Sequence, residues 1–209
     1  QTWTNGRLTE LSCFEKGSDW YWCDLSGNIP ESIGTLMNLT ILRLMGNQLT
    51  GSIPPEIGNL TNLNYLALSS NEFTGEIPSE IGSLVNLSYL SLSDNEFTGE
   101  IPAEIGSLIN LSYLTLSDNE FTGEIPIEIC NLFFQSIYLA INNNNLCPPY
   151  PECIENYLGE QDYSSCEIVI YSSIAEMDVV SIDAGYIVQF AFNWNEDWFE
   201  ADTIIKEII

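Results

Sequence analysis

Histidine is absent from this sequence, and lysine and arginine together number four (Arg7, Lys16, Arg43, Lys206) against 30 acidic residues, a formal charge of −26 over 209 residues. Phosphate recognition needs clustered cations, so nucleic acid is excluded as a partner. An anionic membrane surface is excluded by the same repulsion. Partners should be cationic, neutral or bridged by metal ions. Without histidine, nucleophilic catalysis lacks its usual base. The six cysteines include no Cys-x-x-Cys pair, which together with the missing histidine argues against zinc. No Asp-x-Asp-x-Asp-Gly loop is present to make a dedicated calcium site, so any calcium would be weak and surface-bound. No apolar run is long enough to span a bilayer.

What is present is repetition. From Leu39 to Ile129 the pattern N-L-x-x-L-x-L-x-x-N-x-[LF]-T-G-x-I-P-x-E-I returns, with Asn47, Asn71, Asn95 and Asn119 each 24 residues apart. A fixed period of this size means a solenoid, in which each unit buries its apolar face only against the next copy. Leu42 and Leu44, then Leu66 and Leu68, Leu90 and Leu92, and Leu114 and Leu116, alternate as a short strand should. Each Asn sits where the chain leaves that strand, so its amide can bond neighbouring backbone groups and stack into an interior ladder. Gly and Pro in T-G-x-I-P are expected to set a second bend and stop the strand from extending.

The segments LTGSIP (Leu49 to Pro54) and FTGEIP (from Phe73, Phe97 and Phe121) resemble the plant-type leucine-rich repeat, over roughly residues 20 to 147. The resemblance implies an α/β-type solenoid, mostly β: a right-handed superhelix with a parallel concave sheet. It also implies a protein that binds proteins, peptides or glycans on its concave side or flank. Residues 1–35 read as an N-terminal cap with Trp3, Trp20 and Trp22, residues 36–146 as the repeats, 147–166 as a Cys-rich C-cap, and 167–209 as a small β-rich segment.

Cys13, Cys23, Cys130, Cys147, Cys153 and Cys166 lie outside the regular repeats, near the ends where a solenoid would expose its core. Their even count reads as disulfides and an oxidising, extracellular compartment. Cys13 and Cys23 are expected to pair, with Cys23 standing in for the first rung of the ladder. The last four allow three connectivities. The chain starts at Gln1 with no signal peptide, which fits a mature secreted protein whose signal has been removed. The ladder continues at Asn144 after a one-residue insertion, and the prolines of CPPYPEC (Cys147 to Cys153) are expected to end the coil. Beyond Cys166, EIVIY, MDVVSI, YIVQFAFNW and TIIKEII read as four short strands.

Copies stacked about 5 Å apart should align equivalent side chains in straight columns. One column runs Ile41, Tyr65, Tyr89, Tyr113, Tyr138. Beside it run Arg43, Ala67, Ser91, Thr115 and Ala140, whose small members leave room for a ligand. Tyr65, Tyr89, Tyr113 and Tyr138, with Arg43 at the edge, are the candidate contact residues, since tyrosine gives contact area at low entropic cost. Glu72, Glu96 and Glu120 form an acidic column, as do Glu76, Glu100 and Glu124, and Glu56, Glu80, Glu104 and Glu128. Like charges at that spacing cost on the order of 1 kcal/mol per pair. Solvation, high salt, weakly bridging Ca²⁺ or a basic partner would each relieve them. Thr50, Thr74, Thr98 and Thr122 are reminiscent of ice-binding solenoids, but are expected to serve the bend as backbone bond donors.

Asn38, Asn59, Asn86 and Asn110 occupy N-x-[ST] sequons and are candidate glycan acceptors. Carboxylates are spread in columns and not gathered in one pocket, so no glycosidase-like pair stands out. The expected function is a secreted, non-enzymatic interaction surface. The alternative is a subunit of an extracellular filament or layer, assembling with copies of itself through the unprotected end TIIKEII, with Ile204, Ile205, Ile208 and Ile209 as the contact candidates.

Overall fold

The computed structural model describes residues 1–166 apart from Asn5, residues 14–22, Gln135 and Ser165. The expectations placed on Trp20, Trp22, the strands after Cys166 and Ile204, Ile205, Ile208 and Ile209 lie outside the described residues, as does the Trp3 side chain. Within them the strands are β1 Thr2–Thr4, β2 Arg7–Ser12, β3 Ser26–Gly27, β4 Ile41–Arg43, β5 Gln48–Gly51, β6 Tyr65–Ala67, β7 Glu72–Gly75, β8 Tyr89–Ser91, β9 Glu96–Gly99, β10 Tyr113–Thr115, β11 Glu120–Glu124, β12 Tyr138–Ala140 and β13 Asn145–Cys147.

Two sheets result. The first runs β1-β2-β4-β6-β8-β10-β12, parallel except for β1, and its repeats pair in phase: Tyr65 beside Tyr89, Tyr89 beside Tyr113, Tyr113 beside Tyr138. The β1–β2 hairpin extends this sheet past the first repeat, an element no periodicity announces. The second sheet runs β13-β11-β9-β7-β5-β3. Here the T-G segment departs from expectation. It does not merely bend the chain but forms a strand, and Gly51, Gly75, Gly99 and Gly123, at φ of 74–75°, turn the chain only at its end.

The helical part of each repeat is 3₁₀ throughout the described residues. Pro54 O accepts from Ile57 N, Ile57 O from Leu60 N, and Leu60 O from Leu63 N, at 2.7–3.1 Å. Apolar residues three apart therefore share one face, as three residues per turn require, and Ile57, Leu60 and Leu63 are fully buried. The following glycine lets these turns stack. A Cβ at Gly58 would lie 2.7 Å from Glu80 O, and one at Gly106 would meet Glu128 O more closely still.

Cys130 occupies that glycine position in the next copy, where its sulfur joins Cys153. Cys147 pairs with Cys166, and Cys13 with Cys23, so all six cysteines are bonded. The C-cap corrects a second expectation, because the prolines do not end the coil. Pro151 O accepts from Ile154 N as in every earlier turn, a 3₁₀ segment follows over Glu152–Tyr157, and Ile154 is buried. Residues 147–162 thus form one further, disguised turn.

The asparagine ladder is its interior spine. Asn119 Nδ2 donates to Leu92 O, Leu116 O and Ser117 O, all at 3.1 Å, and its Oδ1 accepts from Phe97 N at 3.1 Å. Asn71, Asn95 and Asn144 repeat this set. At the N-terminal end, Asn47 Oδ1 accepts from Leu25 N at 3.0 Å and lies 4.0 Å from Cys13 Sγ, so it is through Cys13 that the Cys13–Cys23 bridge meets the Asn47 rung. Gln161 supplies the last rung, donating from Nε2 to Ile141 O and Leu158 O.

Candidate functional site

The in-phase register of the first sheet puts four tyrosine rings face to face. Centroids are 4.0 Å apart for Tyr65 and Tyr89, 4.3 Å for Tyr89 and Tyr113, and 4.9 Å for Tyr113 and Tyr138, with interplanar angles of 4–11°. The result is a ridge whose ring faces are consumed by one another, leaving ring edges and phenolic hydroxyls to solvent. The first three rings are half-buried and Tyr138, ending the row, is 57% exposed.

Arg43 closes the other end of the ridge. Its guanidinium carbon lies 4.4 Å from the Tyr65 ring centroid, a cation–π contact, and its Nη1 reaches Glu10 Oε1 at 2.8 Å. Hydroxyls of Ser12 and Thr2 donate to the same carboxylate, which together with Arg43 holds Glu10 below its usual range. Arg43 is therefore a fixed end piece and not a free cation at the edge. The row beside the ridge is closed as well: Ala67, Ser91 and Thr115 are buried, and Thr115 Oγ1 donates to Ser91 Oγ at 3.0 Å. The expected room for a ligand is therefore absent beside Ala67, Ser91 and Thr115.

Burial raises the Tyr89 phenol well above its ordinary pKa, helped by hydrogen bonding and charge within the tyrosine row. The unfolded chain then loses this proton first as pH rises. Stability is full below the ordinary tyrosine value of about 10 and falls above it. Thermal melts at stepped alkaline pH should show this fall, and Tyr89→Phe should flatten it.

Two profiles of the leucine rich repeat match the chain, over residues 37–97 and 110–132. Among solved structures, the BIR3–SERK2 complex from Arabidopsis thaliana contains a chain 36% identical, with a TM-score of 0.54; the match covers 68% of this chain and 78% of that one. The chain belongs to the plant-type leucine-rich repeat family. It is also similar to the GASSHO1/SCHENGEN3 receptor-kinase ectodomain of Arabidopsis thaliana in complex with CASPARIAN STRIP INTEGRITY FACTOR 2, at 36% identity and TM-score 0.60, over 71% of this chain and 17% of that one. A plant ice-binding protein matches at 31% identity and TM-score 0.63, over 81% of this chain and 50% of its own length. This leucine-rich repeat chain thus spans between a sixth and a half of the last two structures. No curated protein sequence matches it.

Away from the ridge, the second sheet of this leucine-rich repeat chain overturns the expectation of straight columns. Its strands are sheared by two residues per turn, so Thr50 lies beside Glu72, Thr74 beside Glu96, and Thr98 beside Glu120. Glutamates of one phase are thereby offset along the strand by about 7 Å as well as across it. The shear interleaves hydroxyls with carboxylates and eases the like-charge repulsion. The hydroxyls of Thr50, Thr74, Thr98 and Thr122 face outward without a hydrogen bond to any described residue, so they are not the backbone donors expected.

Asn86 and Asn110 use Nδ2 to donate to Thr61 O and Val85 O at 2.8 and 2.7 Å, and Asn38 Oδ1 accepts from Arg7. Asn59 is exposed. Among the described residues no group of His, Cys, Asp and Glu is placed to hold a metal ion, and no helix is long and apolar enough to cross a membrane. Sequence reasoning missed that Met37, Val85 and Ile109, which share a phase interrupted by Thr61, are exposed apolar residues.

Proposed function

We propose that this leucine-rich repeat chain is an extracellular, non-enzymatic recognition module that docks a protein or peptide partner across the tyrosine ridge of its first sheet. The single observation carrying this reading is the continuous Tyr65–Tyr89–Tyr113–Tyr138 stack, an unbroken aromatic surface fixed at one end by Arg43 and open at the other. Stacked rings have few rotamers left to lose, so little ordering opposes association. Ring edges and phenolic hydroxyls suit a partner offering carbonyls, N–H donors or apolar side chains. The structures similar to it include receptor ectodomains in complex with CASPARIAN STRIP INTEGRITY FACTOR 2 and with an IDA peptide hormone, which supports a peptide or protein partner. The three disulfides support an oxidising compartment.

The likeness to an ice-binding protein invites another reading, which the second sheet disfavours. An ice-binding face needs uninterrupted uncharged rows, and three of the four threonines here, Thr50, Thr74 and Thr98, have a glutamate at their side, while Thr122 lies beside Asn145.

The test is partner capture from the extracellular fraction of the source with immobilised wild type and a Tyr89→Ala/Tyr113→Ala variant. Each substitution should cost about 1 kcal/mol of stability, from the lost stacking, and together they should abolish capture. A variant that remains folded and retains the same partners would overturn the reading.

A further inference from the structure

A groove of about 1070 Å³ runs along the flank where the second sheet passes into the 3₁₀ turns, on a different surface from the tyrosine ridge. Three successive turns build it with the same Glu-Ile-Pro segment, followed by Ser79, Ala103 and Ile127 in turn. Pro78, Pro102 and Pro126 give a half-buried floor over the buried Ile77, Ile101 and Ile125. Along one rim stand the exposed carboxylates of Glu76, Glu100 and Glu124. On the other rim Ile127 is 64% exposed.

Two of these three side chains lie along the next turn. Glu76 Cγ lies 2.6 Å from where a Cβ would be on Gly99, and Glu100 Cγ 2.8 Å from the same point on Gly123, so each side chain folds over the glycine of the next turn. One end of the groove is walled by the aperiodic Pro149–Tyr150–Pro151 of the C-cap, with Tyr150 Oη donating to Leu146 O at 2.7 Å. An earlier copy, with Ser52 in place of the glutamate, takes no part in it. The groove is therefore a local site and not a general property of the repeat.

Its charge has no partner on the described chain. No lysine or arginine lines the groove, and the described cations are engaged elsewhere, Arg7 with Asn38 and Arg43 with Glu10. A proline floor ending at the Tyr150 wall suits a polyproline II segment, whose rings pack on such surfaces with little entropy to lose. The strands that lead into successive rim carboxylates are displaced by one strand spacing and a two-residue shear, about 8 Å. A polyproline II helix repeats every three residues, or about 9 Å. We propose that this groove docks an extended, proline-rich basic segment of a partner protein, with a lysine or arginine at every third residue facing the glutamate rim.

The probe is a fluorescein-labelled dodecapeptide of repeating Lys-Pro-Pro, with Lys-Gly-Gly repeats of equal charge as control, followed by fluorescence anisotropy at physiological ionic strength. The full chain should bind the proline peptide saturably and the glycine peptide more weakly. Glu100→Gln and Glu124→Gln should each weaken binding about two- to fivefold. Ile127→Lys, which sets a like charge against the peptide at an exposed position, should weaken it about tenfold. Tyr89→Ala should leave it unchanged, which separates this groove from the ridge. Absence of saturable binding overturns the proposal. So does equal binding of the glycine peptide, or an equal loss from Glu80→Gln and Glu104→Gln outside the groove.

Discussion

Asn119→Ala is expected to lower the free energy of unfolding by about 3 kcal/mol, read as a drop in the urea midpoint at unchanged slope. The amide of Asn119 satisfies the carbonyls of two consecutive turns and the amide nitrogen of Phe97 in a site only 9% exposed. Its removal strands several buried backbone groups at once, and water has no access to replace them. Asn47→Ala should cost clearly less, because the first rung is half-exposed and has no earlier turn's carbonyl to hold. Equal losses at the two positions would show that the ladder contributes through local turn geometry and not through burial.

Phe97→Ala should cost more, about 3–5 kcal/mol, measured in the same unfolding experiment. The ring is fully buried between Phe73 at 5.9 Å and Phe121 at 6.1 Å, so no neighbour can move into the cavity without abandoning its own stack. Phe97→Leu should be tolerated at about 1 kcal/mol. Leucine already fills this position at both ends of the column, as the buried Leu49 and Leu146.

The contrast between the two sheets explains what could be read in advance. The LxLxxN segment carries its own instructions. Leucines two apart must face inward, the asparagine must satisfy the turn, and what lies between must face out. A period of 24 with in-phase pairing then made the tyrosine row legible before any coordinates, and the stack at 4.0–4.9 Å follows from it. Arg43 was legible as a neighbour of that row but not as its end piece, because Glu10 comes from a hairpin outside the repeat. Gln161 was hidden for a similar reason: it acts as an asparagine rung while standing in a segment that has lost the motif.

The second sheet was misread because period alone does not fix register. Thr50 and Thr74 share a phase, yet Thr50 sits beside Glu72, since how far each strand slides past the next depends on the shape of the buried turn. Equivalent positions are neighbours only where the shear is zero.

The amino-acid sequence by itself determined the solenoid, its inward leucines, its asparagine spine and the acidity that narrows the choice of partner, because each follows from local chemistry copied at a constant interval. The tertiary structure alone decided the disulfide pairing of the cap, the two-residue shear of the outer strands and the closing of the Ile-Pro groove by Tyr150. These depend on how far one turn slides against another and on which distant segment arrives beside it, and no window of the chain carries that distance.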